Sequence, residues 1–448
     1  MGIPTAPLST HAFKEAAERG FGHDTPFIYT KHPVVGVPDD VLTGYIKGED
    51  PETGNIVFDE IIDALTKPPV RRDVIGEQKD IKKEGFLDPD TEDNLQRLFY
   101  ERGWTDGLPV ILPTRERVQR MLAGTSASPN DVVAEPNPFN PIKITVANVA
   151  VIAVMAGARP EHLPVILAIA STGERAILGS TTPFAPMIVV NGPIRNEIGM
   201  NSGIGAFSPI NAANSAIGRA WTLLCHSTGG NRKKVTLWSS QGNTISYNNL
   251  CIAENEERSV WDPFHVQKGF KPDESVVSIF RGWTFSHSMG AASLRSHAEE
   301  AAILLQAFSA FNGAATLILD PLVAKIVKES EGCPRKEDFS KVISETTEMT
   351  ADRFWKTDYV DFLTGPMADK GVEPYASWRK LSGDSIIKPY HDPDKINIIV
   401  TGGETGPFFK ACDFAYVTSS SIDKWRTISG DICEDGSCGL PDELVDYD

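Results

Sequence analysis

Pro186-Met-Ile-Val-Val-Asn-Gly-Pro193 decides the fold class. Its apolar, mostly β-branched run is too short for a helix and has no polar face. It therefore reads as a strand buried on both sides, broken by Asn191-Gly-Pro193, with a short helix after it. The texture returns twice. Ala315-Thr-Leu-Ile-Leu319 is broken by Asp320-Pro321 and followed by a helical pattern through Glu329, and Ile396-Asn-Ile-Ile-Val400 is broken by Thr401-Gly-Gly403. Strands of this kind alternating with helices predict an α/β fold with a mixed, partly parallel sheet.

Working outward, Thr145–Ala156 and Leu163–Ala170 are apolar nearly all round and predict buried helices. Thr91–Trp104 predicts an amphipathic helix, and Trp104–Val110 a turn and short strand. Thr114 predicts an N-cap for a helix over Arg115–Leu122. Lys234–Trp238 and Thr244–Ala253 flank Gln241-Gly-Asn243 as a β-hairpin would. Ser293–Phe311 reads as one long helix. Residues 91–418 thus form one large α/β domain. Residues 1–67 form a small incomplete α/β segment, with a helix over Ala12–Arg19, a strand over Pro26–Tyr29 and a helix over Val57–Leu65. Its core is too small to stand alone, so it is expected to dock on the main body or on another chain. The charged stretch 68–90 reads as a linker, and the polar 419–448 as a loosely ordered acidic tail.

The chain has 448 residues, with 43 Lys+Arg against 60 Asp+Glu, a net charge of −17. That balance argues against nucleic-acid binding, which needs a basic face, and the one basic run is Asn231-Arg-Lys-Lys234. The most apolar stretch, Ile144–Ala158, is too short to span a bilayer. No basic region followed by an apolar run marks a secretory leader, so a cytoplasmic location is the simplest expectation. Six Cys do not make a disulfide scaffold in this length. The nine His show no metal-ligand spacing, and Cys433 and Cys438 have no second pair in register. Neither a Walker loop nor a dinucleotide fingerprint is present, so no metal or cofactor is expected.

The densest polar cluster runs from Asn191 to Gly230. Its glycines allow close approach of backbone N–H groups to a ligand. A helix starting near Asn211–Asn214 would point more of them at the loop. Asn191, Asn201, Asn211, Asn214 and Arg219 are therefore candidates for binding a small polar or anionic substrate. The other reading is a long loop whose Asn side chains satisfy its own backbone. Asp106, in a Thr-Asp-Gly turn, and Arg159, between two apolar helices, join the binding candidates. Ala253-Glu-Asn-Glu-Glu257 and Trp261-Asp-Pro-Phe-His265 offer Glu254, Glu257 and His265 as acid–base groups, or else surface charges around a turn. Cys225 and Cys251 are candidate nucleophiles, or else core residues.

Several segments, in this order, resemble the partner region of UGSC-motif selenocysteine/cysteine proteins. They are Gly103-Trp-Thr-Asp-Gly-Leu-Pro-Val110, Ala153-Val-Met-Ala-Gly-Ala-Arg-Pro-Glu161, Asn191-Gly-Pro193, Ala213-Asn-Ser-Ala-Ile-Gly-Arg219, Ala253-Glu-Asn-Glu-Glu257 and Trp261 to Phe270. Gly2-Ile-Pro-Thr5, Thr10-His-Ala-Phe13, His32-Pro33 and Val57–Leu65 resemble the end of a UGSC-type domain. The resemblance implies a fusion of two partners, a UGSC-type partner protein, and thiol- or selenol-dependent chemistry on a small molecule. Two departures stand against the last point. The redox motif would lie upstream of Met1, and Ala158 stands where the family has a Cys. Asp435-Gly-Ser-Cys438 matches the motif only superficially, because no strand leads into it.

The sequence thus predicts an enzyme or enzyme subunit, oxidoreductase- or lyase-like, acting on a small anionic metabolite. The alternative is a non-catalytic scaffold subunit of a redox complex that has lost its thiols. Self-association into a homo-oligomer is left open, and no membrane partner is expected. On the first reading, Arg219→Ala abolishes ligand binding with the fold intact.

Overall fold

The computed structural model describes residues 5–14, 17, 27–34, 37–67, 87–136, 142–178, 181–229, 239–288 and 295–427. At the N-terminal end, β1 (Leu8–Thr10) and β2 (Ile28–Thr30) pair in parallel, followed by α1 (Asp39–Lys47) and α2 (Val57–Thr66). The buried Asp50 carboxylate accepts the Glu52 N–H at 2.7 Å and the Tyr29 N–H at 2.5 Å, which ties the turn before α2 to β2. In α2, Val57 is buried while Phe58, Ile62 and Leu65 stay exposed. The helix expected over Ala12–Arg19 begins as a 3-10 turn at His11–Phe13. Most of that helix, and residues 68–86 of the linker, lie outside the described residues.

Next come α3 (Glu92–Glu101) and α4 (Arg115–Leu122), then the β3 (Val132–Ala134) and β4 (Ile144–Thr145) pair, α5 (Val146–Met155) and α6 (Leu163–Ser171). Thr91, Thr114 and Thr145 cap α3, α4 and α5 through their hydroxyls. The strand expected within Trp104–Val110 does not form. Gly103 and Gly107 both take positive φ, and the N–H and C=O of Val110 bond to the Gln96 side chain instead of a neighbouring strand.

The central runs build two four-stranded sheets where one was expected. In the first, β5 (Ala185–Asn191) lies between β6 (Cys251–Ala253), parallel to it, and β7 (Val276–Gly282), antiparallel to it, with β14 (Ala415–Ser421) at the edge. In the second, β9 (Ala315–Leu319) lies between β12 (Ile396–Val400), parallel, and β13 (Phe409–Cys412), antiparallel. There β8 (Phe285–Ser288) is the edge strand. A short β10 (Met349–Thr350) and β11 (Ile386–Ile387) pair lies outside both sheets.

Period-2 alternation stacks these sheets. Ile188 and Val190 face a core shared with α4, α5, α6 and α8 (Ala212–Gly229). Met187 and Val189 face the other way, into a core shared with Ile318, Ile399 and Cys412 of the second sheet. Leu317, Leu319, Ile398 and Val400 point to a third core with α10 (His297–Leu305), α11 (Pro321–Ser330) and α12 (Lys336–Thr346). The layers run helix, sheet, sheet, helix. A strand covered by a second sheet is as apolar as one covered by helices, so the runs themselves do not distinguish the two cases. The elements α7 (Ile194–Glu197) and α9 (Phe264–Gln267) are single turns beside the first sheet.

Three further expectations are corrected. Thr244–Tyr247 is a 3-10 turn capped by the Asn243 side chain. Cys251–Ala253 pairs with β5, and the other arm of the expected hairpin, Lys234–Trp238, lies outside the described residues. The helix expected over Ser293–Phe311 runs only over His297–Leu305. A capping box at Ser296 and Glu299 starts it, and Ala310 and Gly313 at positive φ turn the chain beyond it. Residues 419–427 belong to the body: β14 runs to Ser421, and Ile422 is buried. Cys433 and Cys438 lie outside the described residues.

Candidate functional site

Glu254 ends β6 on the face turned toward the second sheet, and it is fully buried. One carboxylate oxygen accepts Lys336 Nζ at 2.6 Å and the Val400 N–H at 3.1 Å. The other accepts Asn191 Nδ2 and the Phe264 N–H, each at 2.7 Å. Burial pushes this carboxyl up, but Lys336 and the N–H donors outweigh it and hold it below the usual glutamate range. With every lone-pair direction used, Glu254 is a polar bolt between the two sheets and has no acceptor left for substrate chemistry. Asn191 belongs to the same bolt and also donates to Glu256 at 2.9 Å.

Beside it, Arg195 on α7 is 3% exposed and grips Glu257 with two bonds of 3.0 and 2.8 Å. Those bonds hold Glu257 down to about 2, so it stays ionised and paired. His265 is buried with Nε2 on the Lys271 carbonyl at 3.0 Å. Cys225 and Cys251 are buried, and burial pushes both thiols up, away from the thiolate a nucleophile needs.

The Asn side chains satisfy their own loop. Asn211 Nδ2 donates to the carbonyls of Gly205, Ala206 and Ser208. Asn214 bridges Asn201 and the Cys251 carbonyl, while Asn201 donates to Asn211 and the Ile204 carbonyl. Arg219 makes a bidentate pair with Asp106 (2.8 and 2.9 Å) and also bonds the Pro109 carbonyl. It therefore pins the 103–110 turn to α8. Arg159 is solvent-exposed, 3.9 Å from Glu161. The expectation for Arg219→Ala accordingly reverses. It should lower stability by about 1–2 kcal/mol, as loss of a half-buried charge-assisted pair does, and leave ligand affinity unchanged. Denaturant unfolding together with calorimetry checks this, and lost affinity in a stable variant would restore the first reading.

None of the site residues predicted from the sequence lines a broad cleft that the described residues outline. That cleft holds about 200 Å³ and is open to solvent, at the end of the layer between the sheets. One wall is the loop Gly203-Ile-Gly-Ala-Phe-Ser208, within the Asn/Gly cluster singled out by sequence. The other is Thr401, Gly402, Gly403 and Thr405 with Phe408, Phe409 and Lys410, and Ile318 and Asp320 also line it. The loops touch closely. The Gly402 N–H and the Thr401 hydroxyl both donate to the Ser202 carbonyl, and a Cβ at Gly403 would come within 2.1 Å of the Ile204 side chain. Asp320 caps α11 through the Leu322 N–H, and its other oxygen accepts the Glu404 N–H at 3.0 Å, which fixes the second loop.

Two features give this cleft chemistry. Among the described residues, the N–H groups of the lining residues Ile204, Gly205, Phe207, Gly403 and Thr405 have no acceptor. Lys410 stands on β13 directly across from the exposed His287 on β8, with Nζ 2.9 Å from Nδ1 and 3.2 Å from Nε2 of the imidazole. The ammonium lies 4.7 Å from the Phe207 ring centroid and 5.6 Å from that of Phe285. No carboxylate among the described residues pairs with it. Burial lowers the Lys410 pKa. It lowers that of His287 too, which the nearby ammonium lowers further. Sequence reasoning passed over both residues because 123 positions separate them. The local signal was the Gly-rich run 401–407, read only as a strand break.

Comparison with protein families, curated proteins and solved structures gives no match for this chain.

Proposed function

We propose that the chain is an enzyme or enzyme subunit that takes a small anionic metabolite into the cleft between residues 203–208 and 401–410. The observation that carries this reading is Lys410, a half-buried cation with no carboxylate partner among the described residues, in a chain of net charge −17. A carboxylate or phosphate ligand would supply the missing counter-charge and an acceptor for the unpaired loop N–H groups. Thiol chemistry draws no support from Cys225, Cys251, Cys333 or Cys412, which are all buried.

Isothermal calorimetry with inorganic phosphate, acetate and glyoxylate tests the proposal. Saturable binding of one of them is expected, and Lys410→Met should weaken it about 10- to 100-fold, as loss of a charge-assisted bond does. Equal affinity in that variant would remove Lys410 from the reading. No saturable binding of any probe would favour the alternative, a scaffold subunit serving a UGSC-type partner. Among the described residues no helix is long and apolar enough to cross a membrane.

A further inference from the structure

We propose that Lys410 is a Schiff-base lysine, whose Nζ, in the cleft and beside the exposed His287, condenses with the carbonyl carbon of a small 2-oxo acid held by the loop N–H groups. This rests on the anion-site reading above and adds to it a substrate class and a covalent step.

The placement of the lysine is the first argument. Along β13, Phe409 and Ala411 face the outer core, and Cys412 faces the layer between the sheets. Alternation puts Lys410 on the Cys412 side, opposite Ile318 of β9 and His287 of β8. An amine thus occupies a position with buried Cys412 two residues along the strand and buried Ile318 across it on one side, while His287 on the other side is exposed.

The protein shows elsewhere what it does with a structural lysine in such a place. Lys336, 2% exposed, has Glu254 at 2.6 Å. Lys410 is given an imidazole and two phenyl rings instead. An uncharged acceptor nitrogen can take a proton from the amine without holding it in the charged form. The surroundings agree, since burial lowers the pKa of Lys410 and so raises the fraction present as free amine.

The step balances without an oxidant or reductant. The Nζ lone pair of the free amine forms a C–N bond to the carbonyl carbon, and His287 takes the proton that nitrogen releases and passes it to the alkoxide oxygen, giving a carbinolamine. The nitrogen lone pair then expels the hydroxyl, which takes up one proton from solvent and leaves as water. The product is a protonated imine between Lys410 and the former carbonyl carbon. It withdraws electrons from a bond to the adjacent carbon, which suits lyase-type cleavage. The carboxylate of a 2-oxo acid sits one bond from the reacting carbonyl. One small molecule can therefore engage both the unpaired loop N–H groups and the amine.

The test uses the full chain, glyoxylate or pyruvate, and sodium borohydride, read by intact mass and peptide mapping. One reduced adduct per chain, located on Lys410, is expected. Lys410→Arg should lose it while still binding the acid. His287→Gln should slow trapping at saturating acid with affinity kept. Binding of glyoxylate or pyruvate by calorimetry without any trapped adduct would overturn the imine and leave the anion site standing. Absence of both binding and adduct would overturn the two together. Labelling spread over surface lysines, or unchanged in Lys410→Arg, would likewise overturn the assignment. Mapping of the native chain keeps the answer available should either variant fold poorly.

Discussion

Glu254→Ala is expected to destabilise the protein by about 3–5 kcal/mol, the range for breaking a buried pair by removing one partner. The carboxylate is 0% exposed and Lys336 2%, so the variant strands an ammonium with no route to water. It also leaves the Phe264 and Val400 N–H groups without their acceptor. The bolt spans both sheets, so the loss should appear as a lower denaturation midpoint with an unchanged slope. Replacing both residues, Glu254→Met with Lys336→Met, should recover most of the loss, because the stranded charge and not the missing contact dominates. A single variant within 1 kcal/mol of the parent would refute the bolt. The pH dependence has a definite sign. The folded carboxyl titrates below its ordinary value of 4.5. Its contribution is therefore complete above that value and is lost as pH falls from there through the folded pKa. Glu254→Gln should flatten the acid limb of the stability curve.

Gly218→Ala should also destabilise, although helix propensity alone predicts the opposite. Alanine is better than glycine by about 1 kcal/mol in a helix interior. Here, however, a Cβ at Gly218 would lie 1.9 Å from the Asn248 carbonyl oxygen and 3.0 Å from Cys251 Cβ. The opposing chain is backbone and has little room to yield. Asn249 and Leu250 already hold positive φ, and Asn249 Nδ2 is locked onto the Gly218 carbonyl at 2.6 Å and the Thr222 hydroxyl at 2.8 Å. Overpacking of this kind costs about 1–3 kcal/mol. With strain at the αL residues added, it outweighs the propensity gain by about 2 kcal/mol. Any shift of residues 248–251 also moves β6, and with it Glu254. Thermal unfolding measures the outcome, and a raised melting temperature would show that the loop relaxes freely.

These two positions show how legibility divides in this chain. The strands of Pro186–Val190, Ala315–Leu319 and Ile396–Val400 were readable because burial on both faces writes a continuous apolar run. The Thr114 and Asp320-Pro321 starts were readable because capping is a contact between residues two or three apart. The region of the cleft was half readable, since the Gly-rich part of the Asn191–Gly230 cluster supplies one of its walls. The Asn, Arg219 and Glu254 assignments did not lead to the cleft. A polar side chain in a loop looks the same in sequence whether it awaits a ligand or caps its own backbone. Only the partners found in space tell Arg219, taken by Asp106, from Lys410, which has no carboxylate.

By itself the sequence determined the α/β class, the buried helices and the strands that end near residues 190, 319 and 400, because those follow from periodicity and short-range capping. Tertiary structure alone decided that the strands form two stacked sheets, that Glu254 bolts them together, and that Lys410, in the cleft, meets His287 beside it. Each of these is a pairing between distant segments, and such a pairing is selected by the free energy of the whole packed core, which no local window of sequence contains.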